Sequence, residues 1–546
     1  MNLYSYAHGA SAVPLLGETI GENLFNTCQK YPDREALISV HQHYRATYAQ
    51  LWQQVAEVAK ALLSSGVQPG ERVALWAPNC YEWVLVQYAT ARIGAILVNI
   101  NPAYRTSELA YVLRQSGVSV LVSAVAFKGS DYRAMIDEAR PNCAQLRETI
   151  YLTDDWPDFL RRAQRISDEV LWAASQRVQF DEPVNIQYTS GTTGFPKGVT
   201  LSHHNILNNG YFIGQRLQYS ARDKVCIPVP FYHCFGMVIG NLCCTAHGAC
   251  IVIPAESFDP LATLRAVQAE RCTSLYGVPT MFIAELQLPE FAQFDLSSLR
   301  TGVMAGSPCP VEVMKRVQAD MHMQQVEICY GMTETAPVSL QTSLGTPLEK
   351  QVGTVGTVQD HLEIKVIDPD TGALLPRGVP GELCTRGYSV MLGYWHNPEA
   401  TAEAIDPAGW MHTGDLAVMD AEGYVNIVGR LKDLILRGGE NVYPREVEEF
   451  LYTHAAVEDV QVIGVPSEKF GEEVMAWVKV KSGHAVTAAE LEQFCRHRIA
   501  HYKIPRYWKF VSAFPMTVTG KIRKVEMREL AVQELGLQAA ASIKTS

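Results

Sequence analysis

Thr189-Ser190-Gly191-Thr192-Thr193-Gly194-Phe195-Pro196-Lys197-Gly198 gathers three glycines, four hydroxyls and one lysine in ten residues. Glycines let a backbone approach a ligand closely, hydroxyls and amides donate to phosphate oxygens, and lysine supplies positive charge. The stretch narrowly misses the P-loop pattern G-x-x-x-x-G-K-[ST]. Pro196 stands at the second glycine, and Gly198 at the hydroxyl that would bind magnesium. A helix is therefore not expected to start beneath the phosphates. The sequence predicts a mobile loop that clasps them.

Other single groups are less telling by type alone. Glu334 is the one acid in Tyr330-Gly331-Met332-Thr333-Glu334-Thr335 and reads as an ordinary helix-start carboxylate. Asp415 follows Gly414, and Thr-Gly-Asp makes a good Asx-turn. Lys521 sits in Thr519-Gly520-Lys521, a turn that would present a solvated charge at a loop tip. Gly438-Gly439 is either a plain turn or room for a thin chain to pass. His233 lies in a span without Asp, Glu, Lys or Arg, the 31 residues Val225–Ala255, where a lone histidine is commonly a satisfied core residue.

The elements that must position these groups alternate. Arg72–Trp76, Ala95–Ile100 and Val118–Ser123 are short apolar runs at βα spacing. Tyr81–Ile93 carries Trp83, Val84, Val86, Tyr88 and Ala91 at helical spacing, and Val184–Tyr188 leads as a strand into the glycine-rich loop. Strands interleaved with helices predict an α/β fold with parallel-rich sheets covered on both faces. Asp154–Phe180 reads as a helical surface connection. Gly353–Val425, with its short strands and glycine turns, predicts a small antiparallel barrel or sheet. Beyond Lys432 the pattern changes to a smaller α+β unit. A helix is expected at Pro444, strands at Val460–Val465 and Val474–Val480, and a helix around Ala489–Ala500. The expected domains are 1–432 and 433–546.

Five stretches in order resemble the adenylate-forming superfamily: acyl-CoA synthetases, peptide-synthetase adenylation domains and luciferases. They are Tyr188–Gly198, Tyr330–Thr335, Trp410–Asp415, Gly429–Asp433 and Pro515–Ile522. The resemblance implies a large N-terminal domain and a mobile C-terminal one. The implied reaction joins a carboxylate to ATP, releases pyrophosphate and passes the acyl group to a thiol. Thr189, Ser190, Gly191, Thr192, Thr193, Gly194 and Lys197 would hold the phosphates. Glu334 would ligate Mg2+, Thr333 would bond the α-phosphate, and Tyr330 and Gly331 would lie near the nucleotide. Ala305-Gly306-Ser307-Pro308 resembles the small-residue adenine wall, although the commoner form is G-A-A-P. Asp415 would bond the ribose hydroxyls with Arg430 assisting. Lys521 would bridge carboxylate and α-phosphate, Lys432 would be the hinge, and Gly438-Gly439 would line the CoA channel.

By the same resemblance, His233 gates the acyl and thiol channels, and Phe235, Gly236, Val278 and Met332 line the acyl pocket. Relatives that activate amino acids carry an aspartate just after this aromatic segment. None is available here, and burying an unpaired ammonium is costly. Phe231–Gly236, Tyr276–Phe282 and Asn101–Arg105 most resemble medium-chain fatty acyl-CoA synthetases. A fatty acid–CoA ligase is the expected function. Alternatives are a ligase for aryl, short or branched acids, an enzyme loading a carrier-protein thiol, an oxidising or light-emitting relative, and a non-catalytic nucleotide-binding module.

Charge narrows the partners. The 546 residues include 46 Lys+Arg and 57 Asp+Glu, a net −11 that argues against nucleic acid or an anionic membrane as main partner. Residues 433–546 are neutral, with fifteen of each sign. Within them, Arg496–Arg528 holds nine basic residues and one acid, Glu526. Expected partners are therefore small anions: ATP, CoA and a fatty acid. Thirteen dispersed cysteines without a C-x-x-C pair read as buried hydrophobes in a reducing compartment. Met1–Ile20 lacks Lys and Arg, so no targeting peptide is expected, and neither is a transmembrane segment. The expectation is a cytoplasmic protein.

Overall fold

Arg72–Trp76, Ile96–Asn99 and Val118–Ser123 run parallel beside one another, as the apolar runs predict. In the computed structural model, which describes residues 4–189, 196–307, 309–438, 440–496, 498–516 and 522–538, they are central to a seven-stranded sheet. Its order is Gly393–Tyr394, Lys197–Ser202, Pro183–Thr189, Ile96–Asn99, Arg72–Trp76, Val118–Ser123, Glu148–Tyr151. These strands are apolar on both sides because both faces are covered. Val73, Leu75, Val120 and Val122 enter one cluster, and Ala74, Trp76, Val118 and Leu121 another.

A nine-stranded sheet follows the same logic. Six neighbouring strands are parallel: Gln325–Gly331, Thr301–Ala305, Ser274–Gly277, Lys224–Cys226, Cys250–Ile253 and Glu35–Ser39. Helix Tyr81–Arg92 is buried at every position except Tyr81, and its apolar residues share one cluster with both sheets. It is a central helix enclosed all round, so the helical spacing seen in its sequence marks no solvent face. Helices Pro260–Glu270, Pro279–Leu286 and Val311–Asp320 cover the other face of the nine-stranded sheet.

The chain packs as two units. One comprises Tyr6–Lys365 with Cys384–His412 and holds both large sheets. The other comprises Met1–Ser5, Val366–Leu383 and Thr413–Ser546. Within the second, Gly471–Val480 and Val457–Ser467 form a long antiparallel hairpin. Ile435–Arg437 and Tyr507–Phe510 flank Gly471–Val480. Helix Pro444–Tyr452 begins at its proline, which the first helical turn tolerates. Its Val447 and Leu451 cover one sheet face with Leu491 and Cys495, while Met527 and Ala531 of Lys524–Glu534 cover the other.

The fold class is therefore the expected one: α/β with large parallel sheets, plus a smaller α+β unit. One element is shorter than expected. The helix predicted around Ala489–Ala500 is Ala488–Cys495, and Arg496 leaves it with ψ 134°. Among the described residues no helix is long and apolar enough to cross a membrane. All thirteen cysteines are buried, and none is in a disulfide.

Candidate active site

Val278, Gly306 and Tyr330 come together at the carboxyl edge of the nine-stranded sheet, where open α/β sheets hold ligands. Val278 follows Ser274–Gly277, Gly306 follows Thr301–Ala305, and Tyr330 lies at the end of Gln325–Gly331, three adjacent parallel strands. Gly306 (φ +92°) is so close to Val278 that an added Cβ would sit 3.2 Å from its Cγ1. Ser307 is exposed beside it. Beneath Tyr330 the strand is anchored by Glu327. Gln341 donates to its buried carboxyl, and burial pushes that carboxyl up to about 8.

Gly331 opens the turn that carries Glu334. Met332 N–H donates to Pro337 O at 2.9 Å, and a Cβ on Gly331 would fall 1.7 Å from the same oxygen. Only glycine fits without moving backbone. Gly331→Ala should therefore cost about 1–3 kcal/mol, read as a lower urea midpoint. An unchanged midpoint would refute this packing.

Glu334 itself is 6% exposed, in the short 3₁₀ turn Thr333–Thr335. It is not the solvated helix-start carboxylate that its residue type suggests. Tyr394 Oη donates to Glu334 Oε1 at 2.9 Å. The Lys197 ammonium lies 4.8 Å above the centre of the same Tyr394 ring. Burial first, then Glu334, raises the Tyr394 phenol above its ordinary range, so it stays a proton donor.

Lys197 begins a strand. Thr189 pairs with Lys197 and Tyr188 with Gly198, antiparallel. The glycine-rich loop thus connects two strands of a hairpin, and no helix follows it. Ser190, Gly191, Thr192, Thr193 and Gly194 lie outside the described residues. Tyr111 Oη donates to Pro196 O at 3.0 Å, fixing the loop's return.

The charge-free span folds in two parts. Asn79 accepts from Phe231 N–H (2.8 Å) and donates to Val229 O (2.9 Å), and Asn99 donates to Tyr232 O (3.1 Å). These amides fix the approach to His233. His233 is half-buried, and its Nδ1 accepts from Phe235 N–H at 3.2 Å, which sets the Nε2–H tautomer when the ring is neutral. Phe235–Leu242 then forms a fully buried π-helix, a geometry that recurs at functional sites. Phe235 packs on Tyr276 at 5.8 Å, and a Cβ on Gly236 would meet Pro230 O at 2.4 Å. Val278 and Met332 are partly buried against the same apolar cluster as Phe235.

In the other unit, Asp415 and Arg430 are cross-strand partners, with Arg430 Nε donating to Asp415 Oδ1 at 3.1 Å. Asp415 is in a strand, so the turn expected at Thr413-Gly414-Asp415 is corrected. Gly414 takes φ +69° within the strand, and Asp415 continues the ladder. Lys432 lies in the 3₁₀ turn Leu431–Asp433. Gly438 (φ +60°) donates to Phe470 O at 2.8 Å, beside Arg437, which grips buried Glu473 at 2.6 and 3.1 Å. Gly439 and Lys521 lie outside the described residues.

The basic run of this unit is not a bare electropositive surface. Arg496 pairs with Glu492, Lys503 with Glu446, Arg506 with Glu473 and Lys509 with Glu534. Arg523, Lys524 and Arg528 pair with Glu526, Glu448 and Glu472. Most of these acids lie outside the run, so a count along the sequence could not register them.

Comparison with known proteins shows the family to which these residues belong. The family model "AMP-binding enzyme" matches residues 24–395, and "AMP-binding enzyme C-terminal domain" matches 446–521. YngI of Bacillus subtilis (strain 168) is 46% identical, covering 96% of this chain and 99% of that protein. The medium-chain acyl-CoA ligase ACSF2, mitochondrial, of Danio rerio is 43% identical, covering 98% and 91%. Among solved structures, ATP-bound MatB from Rhodopseudomonas palustris superposes with TM-score 0.84 at 29% identity, covering 94% and 99%. The chain belongs to the AMP-binding enzyme family, in its acyl-CoA synthetase branch.

Proposed function

We propose that this protein is a fatty acid–CoA ligase working through an acyl-adenylate. The observation that carries the reading is the 31-residue charge-free span Val225–Ala255, whose Phe235–Leu242 π-helix is wholly buried beside Tyr276. No acid is present in that span to hold a substrate amine, which favours an alkyl carboxylate. The relatives named as acyl-CoA ligases support CoA as the acceptor. Thirteen buried cysteines, none in a disulfide, support a reducing compartment, the cytoplasm in this reading.

In the first half-reaction a substrate carboxylate oxygen attacks the α-phosphorus of ATP and pyrophosphate leaves. Lys197 and the hydroxyls of Thr189–Thr193 would bind the phosphates, and Thr333 the α-phosphate. Tyr330, Gly331, Gly306 and Ser307 would border adenine, and Asp415 with Arg430 would hold the ribose. A carboxylate flanked by Thr333 and Thr335 is the hard-oxygen donor set that suits Mg2+ sharing its shell with phosphates and water, so Glu334 would hold the ion. Bound there, the ion supplies neutralisation of phosphate charge. Lys521 would bridge the carboxylate and the α-phosphate.

In the second half-reaction the CoA thiol loses its proton, attacks the acyl carbonyl and expels AMP. Residues 433–546 would turn about Lys432, with Gly438 and Gly439 admitting the thin pantetheine chain. His233 would gate the acyl and thiol channels, and Phe235, Gly236, Val278 and Met332 would line the acyl pocket.

The test is ATP- and CoA-dependent AMP release across acids from acetate to palmitate, plus benzoate. Activity should peak at about six to ten carbons, because each methylene accepted or rejected changes transition-state binding by about 1–3 kcal/mol. Activity confined to aryl or very short acids overturns the fatty acid, and AMP release that needs a carrier protein overturns CoA.

A further inference from the structure

Tyr394 was not among the residues the sequence singled out, yet it touches both charged groups at the phosphate end of the candidate site. Its place is fixed by backbone. The strand Gly393–Tyr394 lies antiparallel on Lys197–Ser202, with Tyr394 opposite Val199. Leu392 N–H donates to Thr200 O at 2.9 Å and Trp395 N–H to Gly198 O at 2.7 Å, clamping the segment to the loop's stem. Met391 N–H donates to the carbonyl of Glu334 at 2.9 Å, tying the same segment to the acid's own turn. Tyr394 N–H donates to Thr401 Oγ1 at 2.9 Å, and Gly393 (φ +144°) lies so close to Thr401 that a Cβ would sit 2.9 Å from its methyl. Four independent bonds thus hold one ring in register with two motifs.

The side chain uses that register twice. Its hydroxyl donates to Glu334 Oε1 at 2.9 Å, and its face receives the Lys197 ammonium at 4.8 Å. The two contacts reinforce each other. A phenol that donates to a carboxylate gains electron density, and a richer ring attracts a cation more strongly. The arrangement also seats a positive side chain over the face and a negative one at the hydroxyl edge of one neutral ring.

We propose that Tyr394 is a positioning residue that fixes Glu334 through its hydroxyl and Lys197 through its ring, preorganising both for a metal-bound triphosphate. The proposal rests on Glu334 and Lys197 being nucleotide-site groups as read above. It assigns Tyr394 no chemistry on the reacting atoms. Its effect is to reduce the rotamer freedom of a carboxylate and an ammonium before the ligand binds.

The test is equilibrium binding. Mn2+ is titrated by electron paramagnetic resonance into the enzyme with α,β-methylene-ATP, and metal-free AMP binding is measured alongside. Tyr394→Phe should weaken Mn2+ about 10-fold or more, the scale of losing a partner that orients a metal ligand, with AMP binding unchanged. In a Glu334→Gln background the same substitution should have no further effect on Mn2+. Tyr394→Met, which also lacks the hydroxyl, repeats the measurement should Tyr394→Phe lose its fold. Wild-type Mn2+ affinity in a folded hydroxyl-free variant overturns the proposal. If Glu334→Gln weakens Mn2+ while Tyr394→Phe does not, the reading of Glu334 stands and the role of Tyr394 falls. If Glu334→Gln itself binds Mn2+ like wild type, the reading of Glu334 falls and the role of Tyr394 falls with it.

Discussion

Glu334→Gln should slow adenylation by about 10²–10³-fold, the cost of removing one preorganised charge from a site where phosphate charge is redistributed. The substitution keeps size and shape. An amide oxygen still accepts the Tyr394 hydroxyl, so the buried turn stays satisfied and the melting temperature should hold. What is lost is the negative charge. It would oppose a divalent ion held against the triphosphate, and no neutral oxygen replaces it. The loss should appear in fatty acid-dependent ATP–pyrophosphate exchange and deepen at low Mg2+. Thioester formation from supplied acyl-adenylate needs no pyrophosphate departure and should change little. Exchange at the wild-type rate in a folded variant would remove Glu334 from the metal site.

The sequence singled out the stretch Tyr330–Thr335 that carries Glu334, because the family's motifs are short and co-linear, but it did not show that this stretch is a buried 3₁₀ turn. It also exposed the strands of the large sheets. Arg72–Trp76 and Val118–Ser123 are apolar on both sides only because both of their faces are buried. The hairpin nature of the glycine-rich loop follows from Pro196, which stands where a P-loop helix would begin. Features made by residues far apart in the chain were hidden. Tyr394 meets Glu334 across sixty residues, and no local pattern encodes that bond. Asp415 looked like a turn residue because Thr-Gly-Asp has turn chemistry. Its strand is set by Arg430, opposite it in the ladder. The π-helix at Phe235–Leu242 has no composition of its own, since its eight residues would suit an α-helix equally well. Helix Ala488–Cys495 stops at Arg496, whose extended backbone (ψ 134°) ends the helical run, although Ile499 beyond it still packs on the same core, so apolar spacing alone overran the end.

The basic run Arg496–Arg528 bears on the second large effect. Lys521→Ala should slow adenylation by about 10²–10³-fold, again the scale of one preorganised charge at the α-phosphate, and should leave thioester formation from acyl-adenylate intact. Lys521 lies outside the described residues, and its assignment rests on Thr519-Gly520-Lys521 matching the family's motif. The ion pairs of its neighbours sharpen the expectation. Arg523, Lys524 and Arg528 are engaged with Glu526, Glu448 and Glu472, and so act in holding the unit's own helix and sheet. Substituting them should change stability more than the chemical step, and their charge is already opposed locally. A general electropositive lid would lose activity gradually as any of the nine basic residues was neutralised. A single bridging lysine loses it at one position and in one half-reaction. Parallel measurement of pyrophosphate exchange and of CoA thiolysis in Lys521→Ala and Lys524→Ala separates the two. If Lys521→Ala depresses both half-reactions equally, a change of position about Lys432 between the two steps is untenable, because one charge would then serve both from one place.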